Sequence, residues 1–136
     1  MDFVRDNWWL FAIAVVSGLG ILWPSVARRL SGVRQVGVSE AVTLINRRDA
    51  VVLDVRSQAE FNGGHIPQAR HVPLGELKTR LGELERFRST PLVVNCASGA
   101  RSQAAAGLLR KAGFAEVFNL QGGLGAWSQA GMPLEK

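Results

Sequence analysis

Three observations predict an α/β fold with a mostly parallel sheet, preceded by one membrane-spanning helix. Beyond residue 35, short apolar runs alternate with stretches of helical periodicity. Two of those runs end on residues that carry chemistry, Asp54 and Cys96, and ligands in open parallel sheets bind at the carboxyl ends of strands. Residues 8–27 contain no charged side chain at all.

The chain begins with a flank, residues 1–7, holding Asp2, Arg5 and Asp6. Residues 8–27 follow as a helix about 30 Å long, the thickness of a bilayer's hydrocarbon core. Trp8, Trp9 and Trp23 stand near its ends, where indoles settle at membrane interfaces. From Trp8 to Trp23 only Ser17 and two glycines interrupt its apolar surface, so it lacks the polar face of a helix buried in a core. Ala14 and Gly18 form a small-xxx-small pair of the kind that lets two helices approach. Arg28, Arg29 and Arg34 follow the span, so the positive-inside bias predicts a single pass through the inner (plasma) membrane with the C-terminal domain in the cytoplasm. The rival reading is export after signal-peptide cleavage near Ala27, where Ser25-Val26-Ala27 offers small residues. The two aspartates before the span and Arg28-Arg29 beyond the cut oppose it.

Residues 28–35 read as a basic juxtamembrane linker, and residues 36–133 as the folded domain. Ser39 suits an N-cap for a helix whose apolar face is Ala41, Val42, Leu44 and Ile45. Val51-Val52-Leu53 is a buried strand ending at Asp54. Residues 61–67 are a loop rich in turn residues, followed by a short extended piece around His71 and Val72. Leu74, Leu77, Leu81 and Leu84 recur at helical spacing, with Glu76 and Arg80 as an i, i+4 pair. Leu92 to Asn95 is a strand leading into the cysteine loop, Ser102 to Lys111 a helix stopped at Gly113, and Val117 to Leu120 the last strand. Gly122-Gly123 opens a final short helix containing Trp127, a core residue.

Composition narrows the chemistry. With one cysteine there is no internal disulfide, and two histidines without ligand-spaced partners argue against a metal site. No cofactor motif is present. The net charge of +5 is mostly arginine, but no basic run with interleaved aromatics marks a nucleic-acid partner. Anionic membrane lipid or a small anionic substrate accounts for the excess instead.

Cys96 sits between a strand and a helix, where free backbone N–H groups and the helix dipole stabilise a thiolate. It is the catalytic candidate, a nucleophile. Around it, Ala97, Ser98, Gly99, Ala100, Arg101 and Ser102 form a candidate substrate-binding loop. Gly99 frees the backbone to curl its amides inward, Ser98 and Ser102 can donate to anions, and the Arg101 guanidinium either binds an anionic donor or forms a structural ion pair. Asp54 and Arg56 are supporting residues that fix the loop or each other, and His65 is a hydrogen-bonded turn residue. Four residues separate Cys96 from Arg101, one fewer than in the C-x5-R loops of tyrosine-phosphatase type. A tighter ring of N–H groups suits a sulfur bonded to sulfur better than a four-oxygen phosphate.

Asp54-Val55-Arg56, Glu60-Phe61 with Gly64-His65-Ile66-Pro67, the Cys96 to Ser102 segment, and Leu120-Gln121-Gly122-Gly123 with Trp127 together resemble the rhodanese-like domain family of sulfurtransferases. The likeness covers roughly residues 36–133, and the N-terminal span looks like that of small membrane-anchored bacterial members. The resemblance implies about five parallel strands flanked by helices and a persulfide intermediate on Cys96. A small anionic sulfur donor, thiosulfate or a persulfide, would load it, and an external thiol, including a protein thiol, or another external nucleophile would unload it because the chain has no second cysteine. Ala97 and Ala100 stand where some members carry charged residues, which leaves thiosulfate preference open. Two other readings are a catalytically weak docking or sulfur-sensing module, and a phosphatase or arsenate-reductase-like activity.

Overall fold

The computed structural model describes residues 2–30 and 32–136 and divides into two units, Met1–Ser31 and Gly32–Lys136. The first unit holds a short helix α1 (Asp2–Asp6) and a long helix α2 (Trp8–Leu30). Asn7 marks the break between them, its side-chain amide donating back to Phe3 O at 2.9 Å. The stretch Trp8–Val26 is long and apolar enough to cross a membrane. Its large side chains, among them Trp8, Phe11, Val15, Leu19 and Trp23, are exposed.

The second unit is a five-stranded parallel sheet of β1 (Arg34–Val36), β2 (Val51–Asp54), β3 (Arg70–His71), β4 (Leu92–Asn95) and β5 (Val117–Leu120), in the order β1-β5-β4-β2-β3. Helices α3 (Val38–Arg48), α4 (Gln58–Asn62), α5 (Ala100–Lys111) and α6 (Gly123–Gln129) connect and cover it. Strand side chains alternate between two cores. Leu53, Leu92, Val94 and Val117 pack with Ala105, Ala106 and Leu109 of α5. Val52, Val93, Phe118 and Leu120 pack with Ala41 and Leu44 of α3 and Trp127 of α6.

Four expectations are corrected. The linker is shorter than residues 28–35: α2 continues to Leu30, Val33 is buried in the core, and Arg34–Val36 is a strand, while Ser31 lies outside the described residues. That strand is three residues long and is held by β5 at the other end of the chain, with Arg34 beside Phe118 and Val36 beside Leu120, so nothing local announces it. Ser39 is not the cap of α3; Gly37 is, with no side-chain capping bond, and Ser39 lies in the first turn. The leucine run forms two 3-10 turns, Leu74–Glu76 and Leu81–Phe87, instead of one helix. Gly75 and Gly82 weaken a continuous helix, and Arg80 turns to Glu83 at 2.7 Å while Glu76 stays at 4.0 Å. Part of the loop read over 61–67 is α4, closed by a capping box in which the Ser57 hydroxyl accepts from Glu60 N and the Glu60 carboxylate accepts from Ser57 N.

The chain leaves β4 through α5 toward β5 on one side and leaves β2 through α4 toward β3 on the other. A crevice opens between diverging connections of this kind at the strands' carboxyl ends. Asp54 ends β2, and Cys96 follows the last residue of β4.

Candidate active site

Only Cys96, Ala97, Ser98 and Gly99 lie between the end of β4 and the start of α5. The turn closes this tightly because Gly99, the residue capping α5, takes φ +107°, a left-handed conformation open to glycine and strained for other residues. Its N–H then points back at the cysteine, with Gly99 N 3.0 Å from Cys96 Sγ. The carbonyls on the loop's other side are taken up by α6: Leu124 N donates to Cys96 O at 2.8 Å and Gly125 N to Ala97 O at 3.2 Å. Gly123 permits this approach, since a Cβ there would lie 2.3 Å from Cys96 O.

Cys96 is 1% exposed and forms the floor of the loop. Burial pushes its pKa up. The Ser102 hydroxyl and the backbone N–H groups of Ser102, Gly99 and Ser98 push it down by more, leaving it below the ordinary thiol value. Ala97, Ser98 and Ala100 form an exposed rim without charge, and Gly99 is half-buried. Ser102 is fully buried, with Oγ 3.4 Å from Cys96 Sγ.

Arg101 belongs to the first turn of α5, and its guanidinium forms a two-pronged bond with Glu60 of α4, at 2.7 and 2.9 Å. The Arg101 bond, followed by the Ser57 N–H, lowers the Glu60 pKa to about 2. Arg101 therefore sits at the loop with its fork already occupied. Sequence reasoning noticed Glu60 but gave it no role, although the Ser57-Gln58-Ala59-Glu60 spacing of a capping box was readable.

Asp54 and Arg56 meet each other. Arg56 Nε lies 3.0 Å from both carboxylate oxygens of Asp54, Arg56 Nη2 is 2.8 Å from Oδ2, and Arg56 N donates to Oδ1 at 2.9 Å. The same Nη2 donates to Gly64 O at 2.7 Å, tying the end of β2 to the turn before His65. The pair is buried, at 0% and 5% exposure. His65 is a turn residue, its Nδ1 donating to Phe61 O at 3.0 Å and its ring stacked on Phe61 at 3.7 Å. Trp127 is core, 3% exposed. Among the described residues no cluster of three or more His, Cys, Asp or Glu side chains is arranged to hold a metal ion.

Chemically, a buried thiol of lowered pKa in a ring of N–H groups can act as a nucleophile and stabilise negative charge on a sulfur bound to it. The family model for the rhodanese-like domain matches residues 38–130. The chain belongs to the rhodanese-like domain family. An uncharacterized protein, YibN, of Escherichia coli K12 is 40% identical over 76% of this chain and 73% of its own length. A protein of Allochromatium vinosum named sulfurtransferase is 36% identical over 67% of this chain and 83% of its own. Among solved structures, a rhodanese-related protein from Thermoplasma volcanium superposes with a TM-score of 0.67 at 31% identity, covering 75% of this chain and 97% of its own. The chain thus shares the rhodanese fold and has a relative that bears the name sulfurtransferase.

Proposed function

We propose that this protein is a membrane-anchored sulfurtransferase that carries a sulfane sulfur on Cys96. The observation that carries the reading is the buried Cys96 Sγ with the Gly99 N–H 3.0 Å away in a four-residue strand-to-helix turn. The Cys96 thiolate attacks the outer sulfur of the donor. A sulfur–sulfur bond forms, the donor's own bond to that sulfur breaks, and its electron pair leaves with sulfite or with the donor thiolate. An external thiolate then attacks the outer sulfur of the persulfide, becomes a persulfide itself and returns Cys96 as thiolate. The acceptor is external because Cys96 is the chain's only cysteine.

The neutral rim of Ala97, Ser98 and Ala100, with Arg101 engaged by Glu60, favours a persulfide over dianionic thiosulfate as donor. The apolar helix α2 anchors the chain in the bilayer, and the basic sequence that follows the apolar stretch puts the C-terminal domain on the cytoplasmic side.

Incubating the full chain with a low-molecular persulfide or thiosulfate, then weighing it intact, is expected to show the added mass of one sulfur atom, faster from the persulfide. Cys96→Ser abolishes the increment. No increment from any donor, with Cys96 still alkylated by iodoacetamide, overturns the reading, and phosphatase turnover without an increment puts an oxyanion hydrolase in its place. The intact mass of protein recovered from membranes also tests the anchor, because cleavage near Ala27 removes the whole span.

A further inference from the structure

Beside the cysteine loop lies a set of buried and half-buried polar groups that the proposed transfer leaves without a task. Asn119, on β5, is 4% exposed. Its Nδ2 faces three acceptors, Gln35 Oε1 on β1 at 2.9 Å, Gly99 O at 3.2 Å and Gln103 Oε1 on α5 at 3.2 Å. Gln35 Nε2 in turn donates to Gln103 Oε1. Register assembles the set, since Gln35 and Asn119 stand side by side on paired strands.

The orientation of the Asn119 amide follows from Gly99 O, which only accepts: turning the amide over would set Oδ1 against that carbonyl. Oδ1 therefore faces Ser102, whose Oγ donates to it. Ser102 also lies 3.1 Å from Gly99 O and 3.4 Å from Cys96 Sγ, yet its hydroxyl carries a single hydrogen. Asn119 Oδ1, Gly99 O and a Cys96 thiolate compete for that hydrogen, and of the two neutral acceptors Asn119 makes the shorter bond. The second bond, from Asn119 Nδ2 to Gly99 O at 3.2 Å, joins the helical bond that this carbonyl takes from Gln103 N, also at 3.2 Å, so Asn119 and the first turn of α5 hold the loop's last peptide together. A trans peptide is planar, so the N–H of Ala100 points opposite to Gly99 O, away from Asn119.

We infer that Asn119 is a positioning residue for the cysteine loop, setting the direction of the Ser102 hydroxyl and bracing the Gly99–Ala100 peptide through its two hydrogen bonds. Its action on Ser102 restrains the thiolate, and its action on the peptide steadies the anion cradle. The cradle half of the inference rests on the sulfur-transfer reading; the hydroxyl half does not. The charged groups acting at Cys96 from neighbouring elements, Arg101 of α5 and the Glu60 of α4 that it binds, are untouched by changes at Asn119.

The test is the pH dependence of iodoacetamide alkylation of Cys96 in the full chain, alongside single-turnover sulfur loading. Asn119→Leu frees the hydroxyl for the sulfur, so the alkylation midpoint falls and the rate on the acid side rises several-fold, while sulfur loading slows several-fold. Loss of stability alone exposes the buried thiol and returns it toward the ordinary thiol value, so it raises the midpoint instead of lowering it. In a Ser102→Ala background the same Asn119→Leu change no longer lowers the midpoint. Asn119→Ala removes both hydrogen bonds without adding bulk or charge and lowers the midpoint in the same Ser102-dependent way; it decides the question if the leucine variant fails to fold. An unchanged or raised midpoint in Asn119→Leu, or the same fall without Ser102, overturns the inference. A lowered midpoint in a protein that loads no sulfur from any donor keeps the hydroxyl half and removes the sulfur-transfer reading.

Discussion

Two acid–arginine pairs flank the cysteine loop, and they differ in kind. Asp54 and Arg56 are two residues apart at the end of β2, buried, and joined by four hydrogen bonds. Glu60 and Arg101 come from α4 and the first turn of α5, with side chains 36% and 40% exposed. Two charges taken out of water persist only if each satisfies the other, so the first pair is a fixed part of the scaffold. A half-exposed pair gains little from its partner because water competes for both. The comparison teaches that a bidentate geometry alone does not define a role: burial makes Asp54–Arg56 a strut, and exposure makes Glu60–Arg101 a clasp that an anion can open.

Removing one member of the strut has the largest expected effect. Asp54→Ala leaves the Arg56 guanidinium buried with Gly64 O as its remaining partner, and costs about 3–5 kcal/mol of stability. The denaturant midpoint measures it. A loss below about 1 kcal/mol would place this pair in the same class as the exposed one.

Opening the clasp acts on donor choice more than on stability. Glu60→Gln keeps an oxygen for the Ser57 N–H and so preserves the cap of α4, while releasing the charge from Arg101. The stability change is expected at about 0.2–1 kcal/mol. A freed guanidinium worth about 1 kcal/mol toward a dianion speeds sulfur loading at low thiosulfate roughly fivefold and speeds loading from a low-molecular persulfide, which carries less charge, by less. Equal acceleration with both donors would show that Arg101 does not sense donor charge.

These pairs also mark how far the sequence could be read. Asp54 and Arg56 lie two positions apart in the chain, so their mutual contact was open to inspection, as were the strands of 51–54, 92–95 and 117–120, whose apolar runs announce themselves. The Arg101–Glu60 contact joins residues 41 positions apart, and α4 and α5 bring the two together only once the sheet has formed. The same holds for β1, too short to show a period, and for Asn119, which looks like one polar residue inside an apolar strand. Its partner Gln35 is 84 residues away. Local patterns revealed the elements and the nucleophile; the groups that orient the nucleophile depend on strand order, which no window of sequence contains.

The smallest effect is the acid response of the clasp, and its sign follows from linkage. Glu60 titrates at about 2 in the folded protein against 4.5 for an ordinary glutamate. The unfolded chain therefore takes up this proton first as pH falls, and the stability the pair contributes is fully present above about 4.5 and is lost as pH drops through about 2. Because both side chains are more than a third exposed, water and salt screen most of that difference. Wild type and Glu60→Gln should thus differ by a few tenths of a kcal/mol near neutral pH and converge toward pH 2, with the gap narrowing in high salt. Urea midpoints across that range measure it. A gap that survives at the acid end would mean that Glu60 holds the loop through its capping oxygens and not through its charge, which would make the clasp a second strut.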